Sequence, residues 1–215
     1  MQIEYLNYLP DQYKASALQL YFNSLKNKLG PILGEYDRAK QVLESELIMQ
    51  NCFAATCEQK LVGVLGIQTS SGGFVNPSIA QAIRVYGLFS GLLRMSGLAL
   101  LHHACGSDEL YVDGIAVATE MRGKGIGSRL LHMLERAARE KGIKTISLEV
   151  VDSNPRAQAL YERLGFVAIR QRTVWPYNIL FRLPFQMSTL MVKTMANKGL
   201  VRTGDPQAAR LSAQP

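Results

Sequence analysis

The sequence predicts an α/β fold, with strand-like runs and amphipathic helical segments interleaved in one domain. Three observations carry this. The 215 residues are 47% apolar and only 19% charged, which is enough to bury one sizeable core and too few for two. Short apolar runs alternate with segments of helical period along most of the length. In mid-chain an apolar strand stops at Val117, and three glycines at alternate positions (Gly123, Gly125 and Gly127) mark the start of a helix.

From the N-terminus, residues 1–6 read as a short strand. Asp11 is placed to cap a helix running to about Leu29, where Gly30-Pro31 stops it. A second helix is expected over residues 36–49. Residues 52–56 and 61–69 read as a hairpin about Glu58-Gln59-Lys60, and Ser70-Ser71-Gly72-Gly73 breaks the pattern. Residues 79–101 are helical in composition and apolar on nearly every side, interrupted by Arg84 and Arg94. A spanning helix wants about twenty apolar residues without central charge. Three readings stay open for this segment: a helix or helical hairpin packed on the core, an interface or substrate lid, and membrane association. Gly87 and Gly91 form a G-x-x-x-G pair within it.

Residues 110–117 are the next strand. Ile126, Leu130, Met133, Leu134, Ala137 and Ala138 then recur at helical spacing as one apolar face, and Gly142 closes that helix. A strand over 144–151, a helix over 154–164 and a strand over 166–172 follow. After the Trp175-Pro176-Tyr177 loop, a last strand is expected over 185–194, and from Asn197 onward the residues read as a loose tail. The domain is therefore set at 1–195, with a helical insertion at about 76–104 and a tail over 196–215.

The chemistry concentrates in Arg122-Gly123-Lys124-Gly125-Ile126-Gly127-Ser128. Glycines let backbone N–H groups approach a ligand, and the first N–H groups of a helix are unpaired and slightly positive. Such a turn receives phosphate. The spacing is neither G-x-x-x-x-G-K-[ST] nor G-x-G-x-x-G, so neither a P-loop nor a dinucleotide fold is indicated. It fits the R/Q-x-x-G-x-G/A loop of the GCN5-related N-acetyltransferases. A second block, Leu148-Glu149-Val150-Val151-Asp152-Ser153-Asn154-Pro155-Arg156-Ala157-Gln158-Ala159-Leu160-Tyr161-Glu162-Arg163-Leu164-Gly165-Phe166, resembles that family's strand, N-x-x-A-x-x-L-Y helix and G-F strand opening. The resemblance spans roughly residues 109–171.

The resemblance implies a mixed, mostly antiparallel sheet flanked by helices, with residues 79–101 inserted between the third and fourth strands. It further implies acetyl-CoA-dependent N-acetylation of a primary amine by direct transfer in a ternary complex. Backbone N–H groups from Gly123 to Ser128, with Arg122 and Lys124 adding positive charge, would hold the pyrophosphate. The strand end Ile115, Ala116 and Val117 would contact the pantetheine arm and acetyl carbonyl, on a bulged strand that splays from its neighbour. Asn154 caps its helix before Pro155 and would add a contact to the pantetheine arm. Tyr161 matches the family tyrosine that protonates the departing thiolate, although it also shares an apolar helical face with Ala157, Leu160 and Leu164. Glu149 stands twelve residues before Tyr161, as does the base in acetyltransferases of ribosomal-protein N-termini. Asp113 and Glu109 on the neighbouring strand are rival bases.

Composition narrows the partners. A net charge of +7 suits an anionic ligand, but it is dispersed, and no Arg/Lys stripe with interleaved aromatics points to nucleic acid. Cys52, Cys57 and Cys105 follow no metal or C-x-x-C pattern. Cys52 and Cys57 face opposite sides of one strand, so free thiols and a cytoplasmic location are expected, with no signal peptide evident at the start. His102-His103 ends the inserted helix and reads as structural, and no metal is expected. The acceptor is left open between a small amine or polyamine and a peptide N-terminus, and a homodimer stays open. Two other classes compete with the enzyme: a non-catalytic acyl-CoA-binding sensor, and an interaction module using the apolar insertion.

Overall fold

The computed structural model describes residues 2–44 and 47–195. The strands are β1 (Ile3–Leu6), β2 (Cys52–Cys57), β3 (Lys60–Thr69), β4 (Gly72–Gly73), β5 (Glu109–Val117), β6 (Thr145–Val151), β7 (Val167–Thr173) and β8 (Met187–Thr194). The helices are α1 (Lys14–Ser24), α2 (Lys26–Leu33), α3 (Tyr36–Leu43), α4 (Ile79–Tyr86), α5 (Leu88–Leu101), α6 (Ile126–Glu140), α7 (Pro155–Arg163) and the short α8 (Tyr177–Leu180). The strands form one sheet in the order β1-β2-β3-β5-β6-β8-β7, with β4 on the side of β3. Among the described residues only β5 and β6 run parallel; every other strand pairing is antiparallel.

Strand alternation divides the core. Phe53, Ala55, Cys57 and Leu65 face Ile126, Leu130, Leu131 and Leu134 of α6. The opposite sheet face sets Cys52, Ala54, Val64 and Ala116 against Ala17 and Tyr21 of α1. Cys52 and Cys57 therefore lie on opposite faces, and both are buried free thiols. A third cluster joins α1, α2, α3 and the α4–α5 pair over Val151, Val174 and Phe185.

The region between α1 and β2 departs from the sequence expectation. A 3-10 turn at Asp11–Tyr13 precedes α1, and Pro10, without a side-chain cap bond, takes the N-cap position expected of Asp11. The chain breaks at Leu25 and restarts as α2, which runs through Gly30-Pro31 to Leu33. Pro31 removes one helical N–H, yet the fully buried Ile32 and Leu33 hold that last turn against the core. The true stop is Gly34, at φ 81°. The helix expected over 36–49 ends at Leu43, because residues beyond it pair instead: Leu47 bridges Val75, and the Ile48 N–H donates to the Phe74 carbonyl at 2.9 Å.

The insertion is a helical hairpin. Gly87 (φ 80°) turns the chain between α4 and α5. Gly91 makes their contact close, since a Cβ there would lie 2.8 Å from the Ile83 Cα. Among the described residues no helix is long and apolar enough to cross a membrane. The predicted tail, residues 196–215, lies outside the described residues.

Two irregularities in the sheet make room for a site. Gly66 pairs with Gly114 and Ile67 with Val112, so Asp113 is the extra residue of a bulge in β5. The parallel β5–β6 ladder covers only Glu109–Val112 opposite Thr145–Leu148. Beyond that point β6 continues along β8 as far as Val151, while residues 113–117 of β5 leave it.

Candidate active site

The parting of β5 and β6 opens a cleft of about 690 Å³ lined by Ile115, Val117, Arg122, Gly123, Gly125, Ile126, Gly127, Ser128, Glu149, Asn154 and Tyr161. Eleven of the thirteen residues singled out in the sequence thus meet at one place. The other two point elsewhere. Ala116 is buried against α1 on the far side of the sheet, and Lys124 turns outward, its Nζ 3.4 Å from the Met121 sulfur.

The glycine turn has the geometry that its composition suggested. Gly123 and Gly125 take φ of 78° and 77°, a region costly for other residues, and a Cβ on either would meet open space. What they preserve is thus backbone conformation. α6 begins immediately afterwards with no side-chain cap, so its first N–H groups face the cleft unpaired. Arg122 Nε donates to the Val117 carbonyl at 3.2 Å, tying the loop to the end of β5.

Across the cleft, Asn154 caps α7 by accepting the Ala157 N–H at 3.2 Å. Tyr161, on α7, packs edge-on against Phe166 with ring centroids 5.9 Å apart. Burial pushes its phenol up to about 12, so the hydroxyl keeps its proton at neutral pH. These residues fit a pyrophosphate and a thioester arm: open space, free backbone donors and one protonated hydroxyl.

A second cavity, about 350 Å³, lies under the insertion, with Leu25, Leu29, Met95, Leu98, Leu101 and Phe185 in its wall. The two cavities share Leu25, Lys28, Asp113, Glu149 and Val151. Their junction is therefore charged. Glu149 Oε2 accepts from Arg172 at 2.9 Å and from Ser188 Oγ at 2.7 Å, and its side chain is 8% exposed. Asp113 has no ion-pair partner within 4 Å among the described residues, and burial pushes its carboxyl up to about 7 despite the attraction of Lys28. Burial lowers the Lys28 ammonium from its usual value, and Glu149 and Asp113 oppose that.

Glu109 lines neither cavity. It bonds His103 Nε2 at 3.0 Å and takes the Ser147 hydroxyl. His103 also stacks on Tyr111, centroids 4.5 Å apart. Cys105 joins them, the three ligating atoms lying within 4.8 Å of one another. Burial raises the Cys105 thiol to about 11, so that thiol keeps its proton, and the hydrogen-bonded group clasps the end of α5 to β5. Lys28, Tyr21 and Arg172 are the site residues that the sequence did not disclose. Each comes from a distant segment without a motif, and only the folded sheet brings them to Asp113.

The profile of the acetyltransferase (GNAT) family matches residues 31–166, more than half of the chain. The thialysine N-ε-acetyltransferase of Bos taurus is 36% identical over 66 residues, 31% of this chain and 39% of that protein. The ribosomal protein bS18 alanine N-acetyltransferase of Escherichia coli (strain K12) is 37% identical over 87 residues, 37% of this chain and 59% of that protein. The chain thus spans well under two thirds of the length of these curated relatives. An N-acetyltransferase structure from Staphylococcus aureus Mu50 superposes with a TM-score of 0.58 at 15% identity, covering 91% of this chain and all of that one, a likeness of fold alone. The glycine turn, the splayed strands and the α7 tyrosine all lie inside or against the matched span, and the chain belongs to the acetyltransferase (GNAT) family.

Proposed function

We propose that this chain transfers the acetyl group of acetyl-CoA directly to a primary amine bound beside it. The observation that carries this is the meeting of two cavities at Asp113 and Glu149, one with a phosphate-receiving turn and the other without. Acetyl-CoA, the family's co-substrate, supplies an activated thioester. Residues 123–128 would bind its pyrophosphate through backbone N–H groups, and the Ile115–Val117 backbone and Asn154 would orient the pantetheine arm.

Asp113 is assigned the base. An attacking amine must be neutral, and a carboxyl titrating near 7 accepts a proton at working pH yet can release it afterwards. Glu149 lies at the same junction, where its carboxylate is engaged by Arg172 and Ser188 and anchors that guanidinium. Tyr161 would donate its proton to the departing thiolate, its high pKa keeping it protonated until charge develops on sulfur. A covalent acetyl-cysteine finds no support, since Cys52, Cys57 and Cys105 line neither cavity.

Thermal unfolding with and without acetyl-CoA tests the donor site. Ligand at a hundredfold its Kd adds about 2.7 kcal/mol to the native state. Absence of a shift at millimolar acetyl-CoA would refute the assignment. Tyr161→Phe separates an enzyme from a non-catalytic sensor: the shift should persist while kcat falls by roughly 10²-fold or more.

A further inference from the structure

The second cavity has a chemistry of its own. Its polar side chains are largely committed to one another. Gln68 bonds His102 at 3.1 Å and also donates to the His103 carbonyl. Asn76 spans Gly73 in both directions, donating to its carbonyl at 3.0 Å and accepting its N–H at 2.9 Å. Glu149 holds Arg172 and Ser188. The polar groups left for a ligand are Asp113, then Lys28 and the phenols of Tyr21 and Tyr111, each of which feels the Asp113 charge, and the buried Arg172 Nε, which has no hydrogen-bond partner among the described residues. Most of the remaining wall is apolar and includes Met95, Leu98 and Leu101 of α5 together with Leu29, Leu43 and Val75.

The charges of the lining also balance by count, Lys28 and Arg172 against Asp113 and Glu149, with Arg172 in direct contact with Glu149 and Lys28 acted on by both carboxylates. A further carboxylate or a second ammonium would enter this cavity without a counter-ion, at a cost of several kcal/mol. A peptide backbone or a sugar would lose water from its polar groups and find few free partners in return. An uncharged apolar body loses nothing and gains burial.

Resting on the acetyltransferase reading, we infer that the acceptor is a small monoamine with an apolar body, its nitrogen at Asp113 and its body against Met95, Leu98 and Leu101. A volume of about 350 Å³ suits it, equal to roughly a dozen waters at about 30 Å³ each. The inserted hairpin is thereby the selectivity element, because α5 supplies one side of the apolar wall.

The test is thiol release from acetyl-CoA by the full chain, with 2-phenylethylamine and n-hexylamine compared with spermidine, leucine and a hexapeptide with a free N-terminus. The expected result is a kcat/KM for the monoamines at least about tenfold above the other three. Met95→Glu should raise the monoamine KM at least about tenfold, improve spermidine, and leave the acetyl-CoA thermal shift in place; Met95→Leu should stay near the parent. A thermal shift with acetyl-CoA but no preference for the monoamines overturns the acceptor class and spares the donor site. Neither shift nor turnover with any amine overturns the acetyltransferase reading, and this inference with it.

Discussion

Asp113→Asn isolates the most consequential charge in the molecule. Its carboxyl is pushed to about 7 in the folded chain by burial, against 3.8 for a solvated side chain. Below the lower value both states carry the proton and stability does not depend on this group. As pH rises between the two values, the unfolded chain releases its proton while the folded chain retains it, so the native state is disfavoured by about 1.4 kcal/mol per unit. Above about pH 7 both states are ionised and the loss is complete. Integrated between about pH 5 and pH 8, the native state loses about 2–3 kcal/mol through Asp113 alone. Asparagine has nearly the same shape and no proton to lose. The variant should therefore gain on the parent by about 2–3 kcal/mol over that interval, while acetyl transfer falls by at least about 10²-fold. Urea unfolding of both proteins at the two pH values measures the gain. A difference between them that moves by less than about 1 kcal/mol with pH, or in the opposite sense, would refute a buried, elevated Asp113. In the parent, kcat/KM should rise with pH through about 7 as the base ionises, and that limb should vanish in the variant.

Three further perturbations address separate parts of the machinery. Gly125→Ala forces a Cβ into φ 77° at a cost of about 1–2 kcal/mol, and should weaken acetyl-CoA binding in calorimetric titration while leaving open the space beside it. Arg172→Ala removes the guanidinium that Glu149 and the Leu100 carbonyl share at 2.9 Å; chemical denaturation should show a loss of roughly 2–3 kcal/mol, with Arg172→Lys recovering only part. Gly91→Val drives a side chain into the α4 backbone, where even a Cβ lies 2.8 Å from Ile83 Cα. A loss of about 1–3 kcal/mol is expected, and an unchanged midpoint would contradict the close hairpin.

The donor half was legible because it is local. A loop that binds through its own backbone must write its demands into consecutive residues, and Gly123, Gly125 and the helix that follows them do so. Tyr161 and Asn154 share one short helix, so their spacing survives in the sequence. Most strand bounds came within a residue or two for a similar reason: alternation is a property of neighbours. The errors fell where tertiary contact overrode local signals. Gly30-Pro31 reads as a helix stop, yet the burial of Ile32 and Leu33 carries α2 past it. The segment after Leu43 has no local reason to leave a helix; it does so to pair with residues 74–75. Lys124, expected to add positive charge to the turn, is exposed and rests its Nζ 3.4 Å from the Met121 sulfur.

The proposed acceptor half was illegible for the complementary reason. Lys28, Asp113, Glu149 and Arg172 come from α2, β5, β6 and β7, and no spacing relates them. What assembles them is the bulge that leaves Asp113 unpaired and the ladder that stops at Val112. The two together open the cleft and bring to it the carboxylate proposed as the base. The same stop in the ladder frees β6 beyond Leu148, where Glu149 can turn to Arg172 on β7 across the intervening β8. A strand-end register therefore sets which carboxylate is tethered to Arg172 and which has no ion-pair partner among the described residues. Deleting Asp113 would close the bulge against β3 and remove the proposed base together. Separating these effects requires point substitution, and Asp113→Asn keeps the bulge while abolishing the charge.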